Sequence, residues 1–346
     1  MRKLKSFLLA GAGLCSGTLA VGQHVQLVSH PDAHKVDVLV GGKPFTTYLY
    51  PDTLEKPVLY PLRTADGQIV TRGFPLDPRS GEPTDHPHHL GMWLNYESVN
   101  GLDFWNNSYA IPAEKKSHYG WIRPQRILEA RSGKKGVLKV TAEWQQQDRT
   151  VLLNEQTTYV FSGDEHRRTI DRITTLTAVR PVTFADVKDG MLGIRVAREL
   201  QLPEKKPQQF ADNSGNVTTV AADKDDVASG DYLTSEGKTG DDAWATRGRW
   251  CMLFGKKGGE TVSIVIFDHP GNPGYPTYWH ARGYGLFAAN PLGQKVFSKG
   301  KEALNLQLQP GQSVTFRYRV LITDGDAPPT AAQLNKMADV FAKASD

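Results

Sequence analysis

The feature that most restricts how this chain can fold is an alternation of apolar and other residues with period two. It is plain in Val36-x-Val38-x-Val40 before the Gly41-Gly42 turn, and again from Val137 to Trp144. A strand turns successive side chains to opposite faces, so this pattern specifies half-buried strands, and helix-period signal is nearly absent. Ser132–Gly136 and Ser162–Glu165 punctuate such runs, which predicts a meander of long antiparallel strands over residues 120 to 178. A single sheet of that extent would curl or split, so the expected fold is all-β: a large antiparallel sandwich of two stacked sheets.

The tail departs from this pattern. Thr330 is placed to cap a helix bearing Leu334, Met337, Val340 and Phe341 at three- and four-residue spacing, expected to lie against the sheet edge. Leu304–Gln312 and Val314–Val320 read as two alternating strands joined by the Pro310-Gly311 turn. Residues 211–242, rich in Gly, Ser, Thr and Asp, read as a polar loop inserted in a single domain over 23–346.

Residues 1–22 have the order of a secretory signal: Arg2, Lys3 and Lys5, then an apolar stretch from Phe7, then Ala20-Val21-Gly22 before Gln23. Leu14 before Cys15 is not the small residue that lipid modification expects. The expected product is a periplasmic or secreted protein with one thiol, Cys251. Removing the three signal cations leaves 38 Lys and Arg against 37 Asp and Glu, which gives no case for nucleic-acid binding. No later apolar run is long enough to span a bilayer as a helix.

Polar residues gather in three segments: Asp85-His86-Pro87-His88-His89-Leu90-Gly91-Met92-Trp93 with Asn100–Trp105; Asp186-Val187-Lys188-Asp189-Gly190; and Asp268-His269-Pro270 leading to Tyr278-Trp279-His280-Ala281-Arg282-Gly283-Tyr284. If extended, His86 and His88 share one face while His89 points the other way, and His280 and Arg282 share a face likewise. Convergence of these groups predicts one pocket with His88, His280, Arg282 and Asp189 as its proton-moving and charge-stabilising groups. His86, Lys188, Trp93, Trp105 and Tyr284 are expected to bind substrate, since flat amphipathic rings beside polar groups match the C–H faces and hydroxyl edges of a sugar. Each feature has a plainer reading too. Asp-His-Pro makes turns, Asp186 and Lys188 suit a cross-strand ion pair, Asp189-Gly190 suits a turn, and tryptophans fill cores.

Through DHPHHLGMW, NGLDFW, KDGMLGIRVA, FDHPGNPGYPTYWHARGYG and LFAANPLG, in that order, the chain resembles a family of bacterial, usually exported proteins catalogued as the methane oxygenase PmoA family, over roughly residues 30 to 325. The membrane subunit of that name is a bundle of spanning helices, unlike this β-patterned chain. Relatives that accompany carbohydrate-degrading and sugar-oxidoreductase genes imply a glycan-related role. The closing strands also look like the end of a galactose-mutarotase-like supersandwich, which implies a His acid and a carboxylate base on opposite sides of a sugar ring. His88 and Asp189 match those roles, while the late catalytic Glu of those enzymes has no clear counterpart.

Three functions follow as expectations. The first is an exported carbohydrate-active hydrolase, lyase or epimerase working by histidine acid/base chemistry on a sugar or modified glycoside. The second is a glycan-binding protein without turnover. The third is a metal-dependent oxidase holding copper, iron or zinc with His86, His88 and His280 as candidate ligands.

Overall fold

A computed structural model describes residues 22–211, 217–222 and 227–344, so the expected signal lies almost wholly outside the described residues. Two eight-stranded antiparallel sheets carry the fold. The first runs Val25–His30, Lys35–Val40, Lys43–Leu49, Val58–Leu59, Met92–Tyr96, Gly190–Arg195, Leu286–Asn290, Tyr278–Ala281 across its width. The second runs Asp231–Thr234, Trp250–Lys257, Glu260–Asp268, Ser313–Gly325, Arg167–Ala178, Val151–Gly163, Gly136–Gln145, Trp121–Arg131. Four consecutive strands of the second sheet are the meander expected from the alternation. In Arg167–Ala178 half-buried and buried residues alternate from end to end.

The two inner faces meet in one core that includes Tyr48, Leu94, Leu192, Trp144, Phe161 and Ile264. The helix Ala331–Phe341 is capped as expected: the Thr330 hydroxyl accepts from the Gln333 amide, and the Gln333 side chain accepts from the Thr330 amide. It buries Leu334, Ala338 and Phe341 against Trp250, Val265 and Leu321 on the outer face of the second sheet, not on its edge. Val340 points away from that face and is exposed.

Two more expectations are corrected. Leu306–Leu308 does not pair with the strand after the Pro-Gly turn. It forms a separate ribbon with Val182–Phe184, while Ser313–Gly325 enters the second sheet between Glu260–Asp268 and Arg167–Ala178. Leu308 and Phe184 are thereby buried. Within 211–242, Gln208–Ala211 pairs with Val217–Val220, and Asp231–Thr234 joins the edge of the second sheet, so the stretch is not one irregular loop. Among the described residues no helix is long and apolar enough to cross a membrane.

Candidate functional site

The registers of four strands place Trp93, Gly193, Ala288 and His280 opposite one another in one row across the first sheet. Directly paired residues share a face, so all four lie on one side of the sheet, over about 14 Å at ordinary strand spacing. It is the outer side, because Met92, Leu94, Leu192 and Ile194 face the core between the sheets. Gly193 leaves room for both indoles, whose planes are inclined at 58°. A Cβ there would stand 2.6 Å from Trp93 Cζ2 and 2.9 Å from Trp105 Cη2. Trp105 is brought in by a turn in which the Asp103 carboxylate accepts from the Asn106 backbone and side-chain nitrogens at 2.9 and 2.8 Å. Trp93, Trp105, Tyr284, Leu286 and Ala288 form an apolar floor.

The histidine motif is a turn, not a strand, which corrects the expected division of faces. His86 adopts a left-handed φ of 44°, and its carbonyl accepts from the His89 amide at 3.0 Å. All three rings therefore converge: His88 is 4.3 Å from His89 and 5.6 Å from His86, measured between centroids. His89, which an extended backbone would have turned away, is central to a run of near-parallel rings, Tyr284, His86, His89 and Trp93, with neighbouring centroids 5.0, 4.8 and 5.2 Å apart.

Asp85 anchors this turn. Its carboxylate accepts from Arg72 Nη1 at 2.7 Å, from Arg195 Nη2 at 2.7 and 2.9 Å, and faces His86 Nδ1 at 2.6 Å. Burial would raise its pKa, but the Arg195 charge, the His86 hydrogen bond and Arg72 outweigh burial and hold the carboxyl well below the usual range. Arg72 Nη2 also donates to the carbonyls of His86 and His89, so it fixes the turn's backbone. An ionised Asp85 assigns the proton of His86 to Nδ1. Burial, ahead of neighbouring charges, lowers the pKa of His86, and lowers those of His88 and His89 further. Beneath them Lys56 donates to the His88 carbonyl at 2.9 Å and lies over Trp93; burial lowers its pKa to about 8.

At the other end of the row His280 Nδ1 lies 3.4 Å from Asp189 Oδ1 without hydrogen-bond geometry, and Lys188 Nζ lies 3.5 Å from Asp189 Oδ2. Burial, then the charges of Lys188 and Arg282, push His280 well below its ordinary value. Its imidazole is neutral at pH 7, and its approach to Asp189 is not an ion pair. Asn290 holds this segment by donating to the Val187 and Lys188 carbonyls at 3.0 and 2.7 Å, and Tyr96 OH accepts from the Val187 amide. Asp186 does not pair with Lys188: its carboxylate accepts from the Lys295 and Leu304 amides, both at 2.7 Å.

Glu97 Oε2 accepts from the Asp189 amide at 3.3 Å. Burial, then the neighbouring Asp189 and Asp103, push the Glu97 carboxyl up to about 9, so it keeps its proton at neutral pH. A carboxyl raised by folding weakens stability progressively as pH climbs from about 4.3, its unfolded value, towards its folded one. Glu97→Gln keeps the acceptor and removes the titration. Its melting temperature relative to wild type should therefore be higher at pH 8 than at pH 5, and an equal gap at both would refute the assignment.

The expected site residues thus lie in two clusters flanking one floor. His86, His88, Trp93, Trp105 and Tyr284 are at one end, and His280, Asp189 and Lys188 at the other. The Arg282 guanidinium lies over Trp244 at 5.2 Å, and its charge reaches both His280 and Tyr284. His269 stands apart, its Nδ1 accepting from the Gly271 amide in a turn beside Phe341. Sequence reasoning missed Arg72, Arg195, Glu97, Lys56 and His89, and did not single out Asp85 within its motif. The one legible signal was Arg195 standing between apolar residues in Gly193-Ile194-Arg195-Val196. Among the described residues, the three ligand-type side chains that come within 4.8 Å of one another are Asp66, Glu260 and Asp324, and the candidate metal histidines form no such trio.

A family model described as "Family of unknown function (DUF6807)" matches residues 35–339. No curated protein matches the chain. Among solved structures, a GH36 alpha-galactosidase AgaB from Geobacillus stearothermophilus is similar at 10% identity and TM-score 0.39 over 87% of this chain and 41% of that one. A heparan sulfate lyase HepC mutant from Pedobacter heparinus is similar at 10% identity and TM-score 0.34, over 90% and 37%. The Slr1438 protein from Synechocystis sp. PCC 6803 is similar at 9% identity and TM-score 0.28, over 92% and 100%. The chain thus spans about two fifths of the length of the first of these.

Proposed function

The chain belongs to the DUF6807 family of unknown function, and from that premise we propose that it is an exported carbohydrate-active enzyme that moves protons on a sugar ring. The observation that carries this reading is a neutral, buried His280 facing Asp189, whose amide donates to the proton-bearing Glu97, at the end of a floor of two tryptophans, a glycine and an alanine. His280 accepts a proton from a sugar carbon or hydroxyl, and Glu97, whose carboxyl keeps its proton beside Asp189, returns one to the departing or re-forming C–O or C–H bond. Arg282 supplies positive charge to a developing oxyanion. Hydrolysis, elimination and epimerisation all use this set.

The test is incubation of the purified chain with a panel of mono- and disaccharides, including uronic and keto forms, in D2O, followed by NMR. Product, or deuterium at a ring carbon, is the expected result. Saturable binding with neither would favour a glycan-binding protein and reject the enzyme.

A further inference from the structure

We infer that the cavity beside Tyr284 is a second sugar subsite, so that the substrate is a glycoside carrying at least one ring beyond the one that meets His280. The inference rests on reading the site as carbohydrate-active and adds the size of its substrate. The cavity is about 350 Å³, the low end of the range for small-molecule sites, which suits one ring and not a long chain. Tyr284 is its shared wall with the histidine cluster. Its floor is continuous with that of the site, because Val220 from the cavity packs in the same apolar cluster as Tyr284, Trp93 and Leu286.

The lining is of two kinds. Pro83, Leu202 and Val220 are apolar, whereas Glu82, Gln201 and Glu204 are polar, the mixture that a ring with C–H faces and hydroxyl edges requires. Gln201 is a polar part of that wall. It is 7% exposed, and its Nε2 has no hydrogen-bond partner among the described residues. That nitrogen is itself buried on the side of Gly285, where a Cβ would stand 3.2 Å from it. Its place is fixed from behind by Gly285, whose φ of +90° and missing Cβ let the backbone approach; a Cβ there would stand 2.9 Å from Gln201 Cγ. The backbone of Gln201 is held too, its amide donating to the Arg198 carbonyl and its carbonyl accepting from Gly230.

Leu202 is half-buried on the cavity wall, so Leu202→Trp fills the space with a ring of the protein's own, and Gln208→Trp does the same from the facing hairpin. The probes are glucose, galactose and glucuronate against cellobiose, lactose and melibiose, with affinity read by calorimetry and by saturation-transfer NMR. The expected result is that wild type prefers at least one disaccharide over its monosaccharides. Both variants should then lose roughly tenfold or more of that preference, about 1.4 kcal/mol, while monosaccharide affinity stays unchanged. Disaccharide affinity equal to wild type in a folded variant overturns the subsite and leaves the proposed function standing. Failure of wild type to bind any of the six overturns both.

Discussion

Replacing His280 by alanine should lower turnover by about 10²- to 10⁴-fold, the usual contribution of a positioned acid or base, with a cooperative melting transition kept and lowered only by the small cavity it leaves. The side chain is 2% exposed and makes no hydrogen bond through Nδ1, so its loss leaves no partner stranded. Its contacts with Phe297 are edge-on, and alanine fits the same strand. His24→Ala, at an exposed position near the expected mature N-terminus, should be silent and controls for losing an imidazole. The pH profile supplies an independent readout. A base must be unprotonated, and burial holds His280 well below its ordinary value, so the acid limb should fall below the usual histidine range. The acid must be protonated, and Glu97 keeps its proton up to about 9, so the alkaline limb should fall there, and Glu97→Gln, which has no proton to give, should lower turnover across the whole profile. Near-wild-type turnover in His280→Ala would remove the base from the scheme. Lost activity together with a collapsed melting transition would assign His280 to packing instead.

The alternation of residues was enough to read two antiparallel sheets and the 120–178 meander, because period two survives whatever the strand pairs with. What it could not supply was pairing at long range. His280 and Ala288 belong to one local hairpin, but Trp93, Gly193 and Ala288 form a row only once strands some hundred residues apart are adjacent, and no local pattern encodes that neighbourhood. Leu306–Leu308 fails for the same reason, since a Pro-Gly turn is compatible with a hairpin and with a crossing to another sheet. The histidine motif shows a different limit. Sequence located it as a site, but the left-handed φ at His86 bends the chain and gathers His89 with the others, where an extended backbone would have turned it outward. Arg72 and Arg195 escaped notice because an arginine in a sequence looks like a surface cation until the structure shows both fully buried against one carboxylate.

That carboxylate is where the largest loss of stability is expected. Asp85→Ala should cost about 3–5 kcal/mol, the usual price of breaking a buried charge pair from one side, because it leaves two guanidinium groups in the interior without their counter-ion. In a chain of this size the melting temperature should fall by roughly 5–10 °C. Arg72 and Arg195 have side chains with no exposure, and their remaining acceptors are backbone carbonyls and the His89 ring, which neutralise no charge. Asp37→Ala is the matched surface comparison. It also removes a carboxylate paired with Lys35 and His30, but one 30% exposed, and should cost about 1 kcal/mol or less. The sign with pH is fixed by the depressed pKa. The stabilisation from Asp85 is fully present above the unfolded value of about 3.9 and is lost as pH falls below it towards the folded value. The gap between wild type and Asp85→Ala should therefore be flat from pH 8 down to about 4 and close in stronger acid. A gap as small as that of Asp37→Ala at pH 7 would show that the clamp is neutralised in some other way. A large gap with normal tryptophan near-ultraviolet dichroism would show that the stacked rings hold their places without it.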